Sequence, residues 1–343
     1  MARQAATIGE MVATRVELPD DRGLITGFAF CLDEPPVKLG WPEVLRLPET
    51  AHGKLVWLHF NLMDVRAREW IAKSGFLPEK AADFLLGTDG RIRLDRLEDG
   101  IIGVLGDLHH DFDLDPESLG LIRFYAEAGI LVTGRRHPLM AVDRLRREAI
   151  AGVNLTSPVS LLAHLLSHLA ESFETIISGL GDKVDDIEDR ILAGRFHGEG
   201  AGLGESRRLM SRLRRHLNAE RHELTDILTQ LPAWCTEGDE ANLRRAVGRL
   251  EAFGQDLDLL YERGRFLQEE IASRLGEATN RNLYVLSIVT TIFLPMTLIT
   301  GLFGINVGGM PWLENHLGFW WVVFGMFATA ILTFLILHWR RLF

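Results

Sequence analysis

The stretch that most constrains this chain is LYVLSIVTTIFLPMTLITGLFGIN, Leu283 to Asn306, which carries no charged side chain between Leu283 and Phe303. About 20 consecutive apolar residues suffice for a helix to cross the hydrocarbon core of a bilayer. A second uncharged run, Leu317 to Leu337, follows a short loop. The C-terminal part therefore reads as a hairpin of two membrane-spanning helices, and everything before it as soluble. The joining loop, GINVGGMPWLENH, holds Glu314 but no Lys or Arg, whereas Arg281 precedes the first run and Arg340 and Arg341 follow the second. Because basic residues are retained on the cytoplasmic side, both termini are expected in the cytoplasm and the loop outside. Trp312, Trp320, Trp321 and Trp339 fall near the expected interfaces, where indole rings favour the headgroup level.

Two helices cannot enclose an aqueous path, since a polar surface at membrane depth must face protein or water. Transport would require several copies of the chain. In the first run Ser287, Thr290 or Thr291, Leu294, Thr297 and Gly301 recur at three- and four-residue steps and form one narrow, mildly polar stripe. Such a stripe suits a shared inner helix, and equally suits plain helix packing through small residues.

The formal net charge of -10 argues against nucleic acid as a partner, because phosphate contacts need clustered Lys and Arg. It fits both a surface that draws cations near and ordinary solubility. Cys31 and Cys235 are the only cysteines and form neither a disulfide framework nor a thiolate metal site. The first twenty residues lack the apolar core of a secretion signal, so the first span itself is expected to direct membrane insertion.

Between Leu24 and Thr133 short apolar runs alternate with turn residues: LITGFAF, KLVWLHF, IRLDRL, IIGVLGDL, GLIRFYAE and GILVTG. These read as strands, with helices near Val65 to Lys73 and Pro78 to Leu86. The expectation is an α/β domain over residues 1–156. The cluster Asp107 to Asp115 gathers His and carboxylate side chains that can bind a divalent ion, and its alternating carboxylates also describe a solvated hairpin tip. Gly100, Gly103 and Gly106 lack dinucleotide-binding spacing and are expected to mark turns or bulges. Five arginines around the helix expected after Pro138 read as a solvated basic face.

Residues 157–282 read as a helical stalk. A first helix runs from Pro158 to Gly194, with His164 and His168 one turn apart and an acidic later half around Asp185 and Glu188. The two imidazoles can share a metal or can each satisfy local hydrogen bonds. RFHGEGAGLGES is expected to break the helix and permit a reversal before a helix from Glu205 to Leu231. The last helix should start near Glu240 and meets no proline before Pro295. Its apolar ladder is Leu243, Val247, Leu250, Leu257, Leu260, Leu267, Ile271 and Leu275. The remaining boundaries are a first span at 283–303, an external loop at 304–316, a second span at 317–337 and a basic tail at 338–343.

Gly304-Ile305-Asn306, at the outer end of the first of two C-terminal spans, resembles the Gly-Met-Asn signature of the CorA metal-ion transporter superfamily. The middle residue departs from it. The longer string through Val307, Gly308, Gly309, Met310 and Pro311 is more similar to the ZntB-type zinc-transporting branch. The resemblance implies a funnel-shaped homopentamer in the inner membrane, with no enzymatic activity and no cofactor. It also implies a selectivity ring at Gly304, Ile305 and Asn306, and a pore lined by Asn280, Leu283, Ser287, Thr290, Leu294, Thr297 and Gly301. Glu314 would ring the mouth and attract cations. Zinc, partly hydrated, is the implied cargo, and this branch is associated with proton coupling. The expected partners are thus divalent metal cations, protons, membrane lipid and further copies of the chain. Neither span holds an Asp, Glu, Lys or His to relay protons. A CorA-type channel for magnesium, cobalt or nickel is the alternative within the class, and a membrane-tethered enzyme or scaffold the alternative outside it.

Overall fold

The computed structural model describes residues 23–31, 34–47, 54–109, 119–153, 155–195, 198–305 and 316–339. Contacts divide the chain into a unit ending at Phe266 and one beginning at Leu267.

The first unit is built on seven strands: β1 Leu24–Cys31, β2 Glu34–Lys38, β3 Leu55–Asn61, β4 Arg93–Leu97, β5 Gly100–Leu108, β6 Leu119–Glu127 and β7 Ile130–Arg135. They lie in the order β2-β1-β3-β7-β6-β5-β4. All neighbours are antiparallel except β3 and β7, where Val56 pairs with Ile130 and Asn61 with Arg135. Both faces are covered. Five helices pack on or beside the sheet: α1 Trp41–Val44, α2 Val65–Lys73, α3 Glu79–Leu86, α4 Met140–Ile150 and α5 Pro158–Leu192. One core gathers Val56, Leu58, Phe60, Ile102, Val104 and Tyr125 with Trp70, Ile71, Ala81 and Leu85 of α2 and α3. Alternation along the strands then turns Trp57, His59, Phe124, Leu131 and Thr133 to the opposite face, all buried, where α4 and α5 pack.

Burial forces the polar groups on that second face to pair. Trp57 Nε1 donates to Thr133 Oγ1 at 3.0 Å, and His59 Nδ1 lies 2.9 Å from the same oxygen. Burial holds the His59 imidazole well below the usual histidine range, helped by Arg135. At the start of α2, Asp64 accepts the amide of Arg66 at 2.8 Å, as an N-cap does.

Three long helices complete this order: α5, α6 Glu199–Leu228 and α7 Glu237–Phe303. Within the first unit α6 runs antiparallel to α7, as Arg221 lies against Gly254, Arg214 reaches Asp258 at 3.0 Å, and Arg207 lies against Gly264. Arg263 pairs with Asp185 and Glu188 of α5. The last helix is α8 Gly318–Trp339.

Several expectations are corrected by the packing. Gly100 and Gly103 sit inside β5, where a Cβ would strike the rings of Tyr125 and Phe124 on the neighbouring strand. The glycine-rich break is narrower than expected, since α6 already includes Gly200, Gly202 and Gly204. Among the glycines of that segment described here, Gly194 and Gly198 carry the positive φ, 75° and 92°, that the reversal requires. In the apolar ladder Leu275 is 40 % exposed while its predecessors are buried.

Candidate ion pathway

Helix α7 runs through 67 residues without a break, so the residues of the expected pore stripe share one continuous element. Asn280, Leu283, Ser287, Thr290, Leu294, Thr297 and Gly301 are all exposed in the single chain. Steps of three and four residues place them on one face. Leu283 and Leu294 are 58 % and 68 % exposed, large apolar side chains left mostly uncovered by the described residues of their own chain.

The threonines on this helix have their hydroxyl hydrogens engaged. Thr290 donates to the Leu286 carbonyl at 2.8 Å, Thr291 to Ser287 at 2.7 Å and Thr297 to Phe293 at 2.9 Å. A hydroxyl that donates backward along its helix keeps its lone pairs for an outside donor. The stripe therefore offers acceptor oxygens, suited to the water shell of a cation. Pro295 lies within the same stretch and has no N–H to give to the Thr291 carbonyl.

Helix α7 ends at Phe303, and the amide of Gly304 bonds the Thr300 carbonyl at 2.9 Å. A Cβ at 304 would come within 2.9 Å of that same oxygen, so the backbone turn at the start of the signature favours glycine. Ile305 follows, 51 % exposed. Asn306 and Glu314 lie outside the described residues. Helix α8 is predominantly apolar and bonds Thr329 and Thr333 back onto its own carbonyls, leaving a surface fit for lipid. Both α7 and α8 are long and apolar enough to cross a membrane.

The other sequence candidates are placed in the first unit. His164 and His168 both approach Glu148 Oε2 at 3.0 Å, and His168 Nδ1 lies 3.3 Å from Glu171. This is a carboxylate seam between α4 and α5, and no metal-binding group of three such ligands exists among the described residues. Asp107 is 1 % exposed and accepts the Ala141 amide at 3.0 Å. It is therefore no part of a solvated tip; residues 110–118 of that cluster lie outside the described residues. Of the arginines expected on a solvated face, Arg135 and Arg146 are instead largely buried beside Asp143. Two features escaped sequence reading. Glu220 is completely buried against Gly106, and Arg207 and Arg214 flank Tyr261 with guanidinium carbons 5.5 and 5.0 Å from the ring centre. Seven-residue spacing of Arg207, Arg214 and Arg221 was the available signal for the second; the first had none.

Residues 52–341 match a family model described as CorA-like Mg2+ transporter protein. The divalent cation transporter CmaX of Pseudomonas aeruginosa is 31 % identical over 306 residues, 89 % of this chain and 92 % of that protein. The zinc transport protein ZntB of Yersinia enterocolitica is 28 % identical over 263 residues, 77 % of this chain and 80 % of that one. Among solved structures, full-length CmaX superposes with a TM-score of 0.79 at 30 % identity, covering 95 % of this chain and 99 % of CmaX. The CorA magnesium transporter of Methanocaldococcus jannaschii gives 0.72 at 19 % identity, covering 91 % and 97 %, a likeness of fold. With two membrane-length helices behind an α/β unit, and with a family match over most of its length, this chain is not an enzyme but a membrane-embedded divalent cation transporter of the CorA-like family.

Proposed function

We propose that the chain assembles as a homopentamer in the inner membrane, termini in the cytoplasm, and takes up zinc through a central pore lined by α7. The observation that carries this reading is the continuity of α7 from Glu237 to Phe303, with the seven-residue stripe exposed along one face. Two spans per chain cannot enclose water, and five copies supply the missing walls. Leu283 and Leu294 then form apolar constrictions that close by dewetting, and the threonine and serine oxygens between them receive a hydrated ion. Asn306, with Gly304 and Ile305, forms the outer selectivity ring, and Glu314 concentrates cations at the mouth.

A second reading, magnesium as cargo, is favoured by the chemistry of the stripe. It offers hydroxyl, amide and apolar groups and none of the Cys, His or carboxylate ligands that bare zinc seeks. Magnesium gives up water reluctantly and so fits a surface that receives a hydrated ion. Zinc is supported by Ile305 and the following Val307-Gly308-Gly309, and by the ZntB relatives. Proton coupling, if zinc is carried so, runs through pore water or groups outside the spans.

The test is uptake by purified protein in liposomes, zinc against magnesium, at two imposed pH gradients, beside Asn306→Ala checked for intact assembly by sizing. Gradient-dependent zinc uptake lost in the variant supports the first reading. Magnesium flux indifferent to the gradient supports the second, and flux unaffected by Asn306→Ala removes the selectivity ring from both.

A further inference from the structure

The soluble unit contains a second device, one that does not depend on which cation is carried. Strand β5 presents Gly106 and Asp107 in succession, and successive strand residues point to opposite faces. Each therefore meets a different helix. On one face Glu220 of α6 enters the space above Gly106 and accepts its amide hydrogen at 2.5 Å. A Cβ at 106 would stand 3.1 Å from Glu220 Oε1, so the glycine makes the room. The second oxygen, Oε2, is buried without a hydrogen-bond partner. On the other face Asp107 accepts from the Ala141 amide at the start of α4, at 3.0 and 3.2 Å, and from Leu108 at 2.7 Å.

Among the described residues, the charges around this pair offer it no counter-ion. Arg93 of β4 is held by Asp89 and lies over Phe84. Asp143 of α4 is engaged with Arg135 of β7 and Arg146, and adds negative potential at Asp107. On α5, His164 and His168 are occupied by Glu148 and Glu171. On α6 itself Glu223 accepts the Leu94 amide at 2.9 Å, Arg221 bonds Asn218, and burial and Arg215 hold His216 below the usual histidine range. Glu251 of α7 faces Thr225. Two enclosed carboxyls, Asp107 on β5 and Glu220 reaching the adjacent strand position from α6, with no facing cation among the described residues, cannot both ionise cheaply.

We propose that Glu220 and Asp107 form a proton-operated latch: with a proton on Glu220 Oε2, α6 is held on β5, and ionisation of Glu220, releasing that proton to water, loosens it. Asp107 has backbone donors to carry a charge, whereas Glu220 has one donor on one oxygen. The proton therefore belongs on Glu220. Burial raises Glu220 to about 8 and Asp107 to about 7, so the latch titrates near neutral pH. The helix it releases is joined to α7 by residues 229–236.

Full-length protein in detergent tests this by infrared titration of the protonated-carboxyl carbonyl band, with hydrogen exchange of the β5 and α6 peptides corrected for intrinsic rate. Between about pH 6 and about pH 9.5 the wild type should lose the band and gain exchange in both peptides. Glu220→Gln, which keeps the neutral shape, should abolish both changes. Should that variant fail to fold, Asp107→Asn provides the second arm: removing its negative charge should lower the upper midpoint by about one pH unit. An unchanged titration in Glu220→Gln, an unmoved midpoint in Asp107→Asn, or a flat wild-type profile overturns the latch. None of these readouts requires transport, so the pore reading stands or falls separately.

Discussion

At the residue scale, single atoms decide what a glycine is for. The sequence could show that Gly100, Gly103 and Gly106 were spaced by three, but spacing cannot reveal which aromatic ring lies across the ladder. Tyr125 and Phe124 fill the volumes that side chains at 100 and 103 would need. Gly103→Ala is therefore expected to destabilise the first unit by about 1–3 kcal/mol, read as a lower denaturation midpoint. Gly179 meets nothing within 4 Å inside α5, and Gly179→Ala should instead stabilise by about 0.5–1 kcal/mol in the same assay. The buried acids set the pH response. Folded-state values raised to about 8 for Glu220 and about 7 for Asp107 mean that the native state keeps protons the unfolded chain has released. Their contribution is complete below the ordinary carboxylate range and is lost as pH rises through those values. Thermal unfolding should accordingly occur at a lower temperature near about pH 8.5 than near about pH 5.5, a trend that Glu220→Gln should flatten.

At the element scale, periodicity was the most readable property. The expected helix at Val65 to Lys73 is α2 itself, and α3 begins at Glu79, one residue after the expected Pro78, whose backbone is still extended. The apolar ladder of α7 is buried from Leu243 to Ile271 in the single chain. Helix boundaries near glycine were less readable, because a glycine breaks a helix only where the backbone takes a positive φ, and composition does not report φ. The arginine row of α6 shows a further layer, in which guanidinium groups do the packing work usually given to leucine. Arg214 joins Asp258 at 3.0 Å and covers Tyr261. Both partners are partly exposed, so Arg214→Ala should cost about 0.5–1.5 kcal/mol, and the ion-pair share should shrink in high salt. Equal denaturation midpoints for the two proteins would show that the row contributes nothing.

At the scale of the whole molecule, the membrane class was legible because an uncharged run of this length has few other uses, and the family because a short signature stood at the right end of the right helix. The proposed pore was legible only as a stripe, since the walls it would need belong to other copies. Mass measurement of the detergent-solubilised protein should give five chains per particle, and a monomer would remove the basis for any central path.

The insertion of β7 between β3 and β6 has a consequence for synthesis. Trp57 and its partner Thr133 are 76 residues apart in sequence, so β3 must wait on the ribosome until β7 has emerged before the sheet can close. The latch residue Glu220 arrives later still, 114 positions after Gly106. Both are translated before Leu283, so the sheet can be complete, and its acids enclosed, before the first apolar segment reaches the insertion machinery.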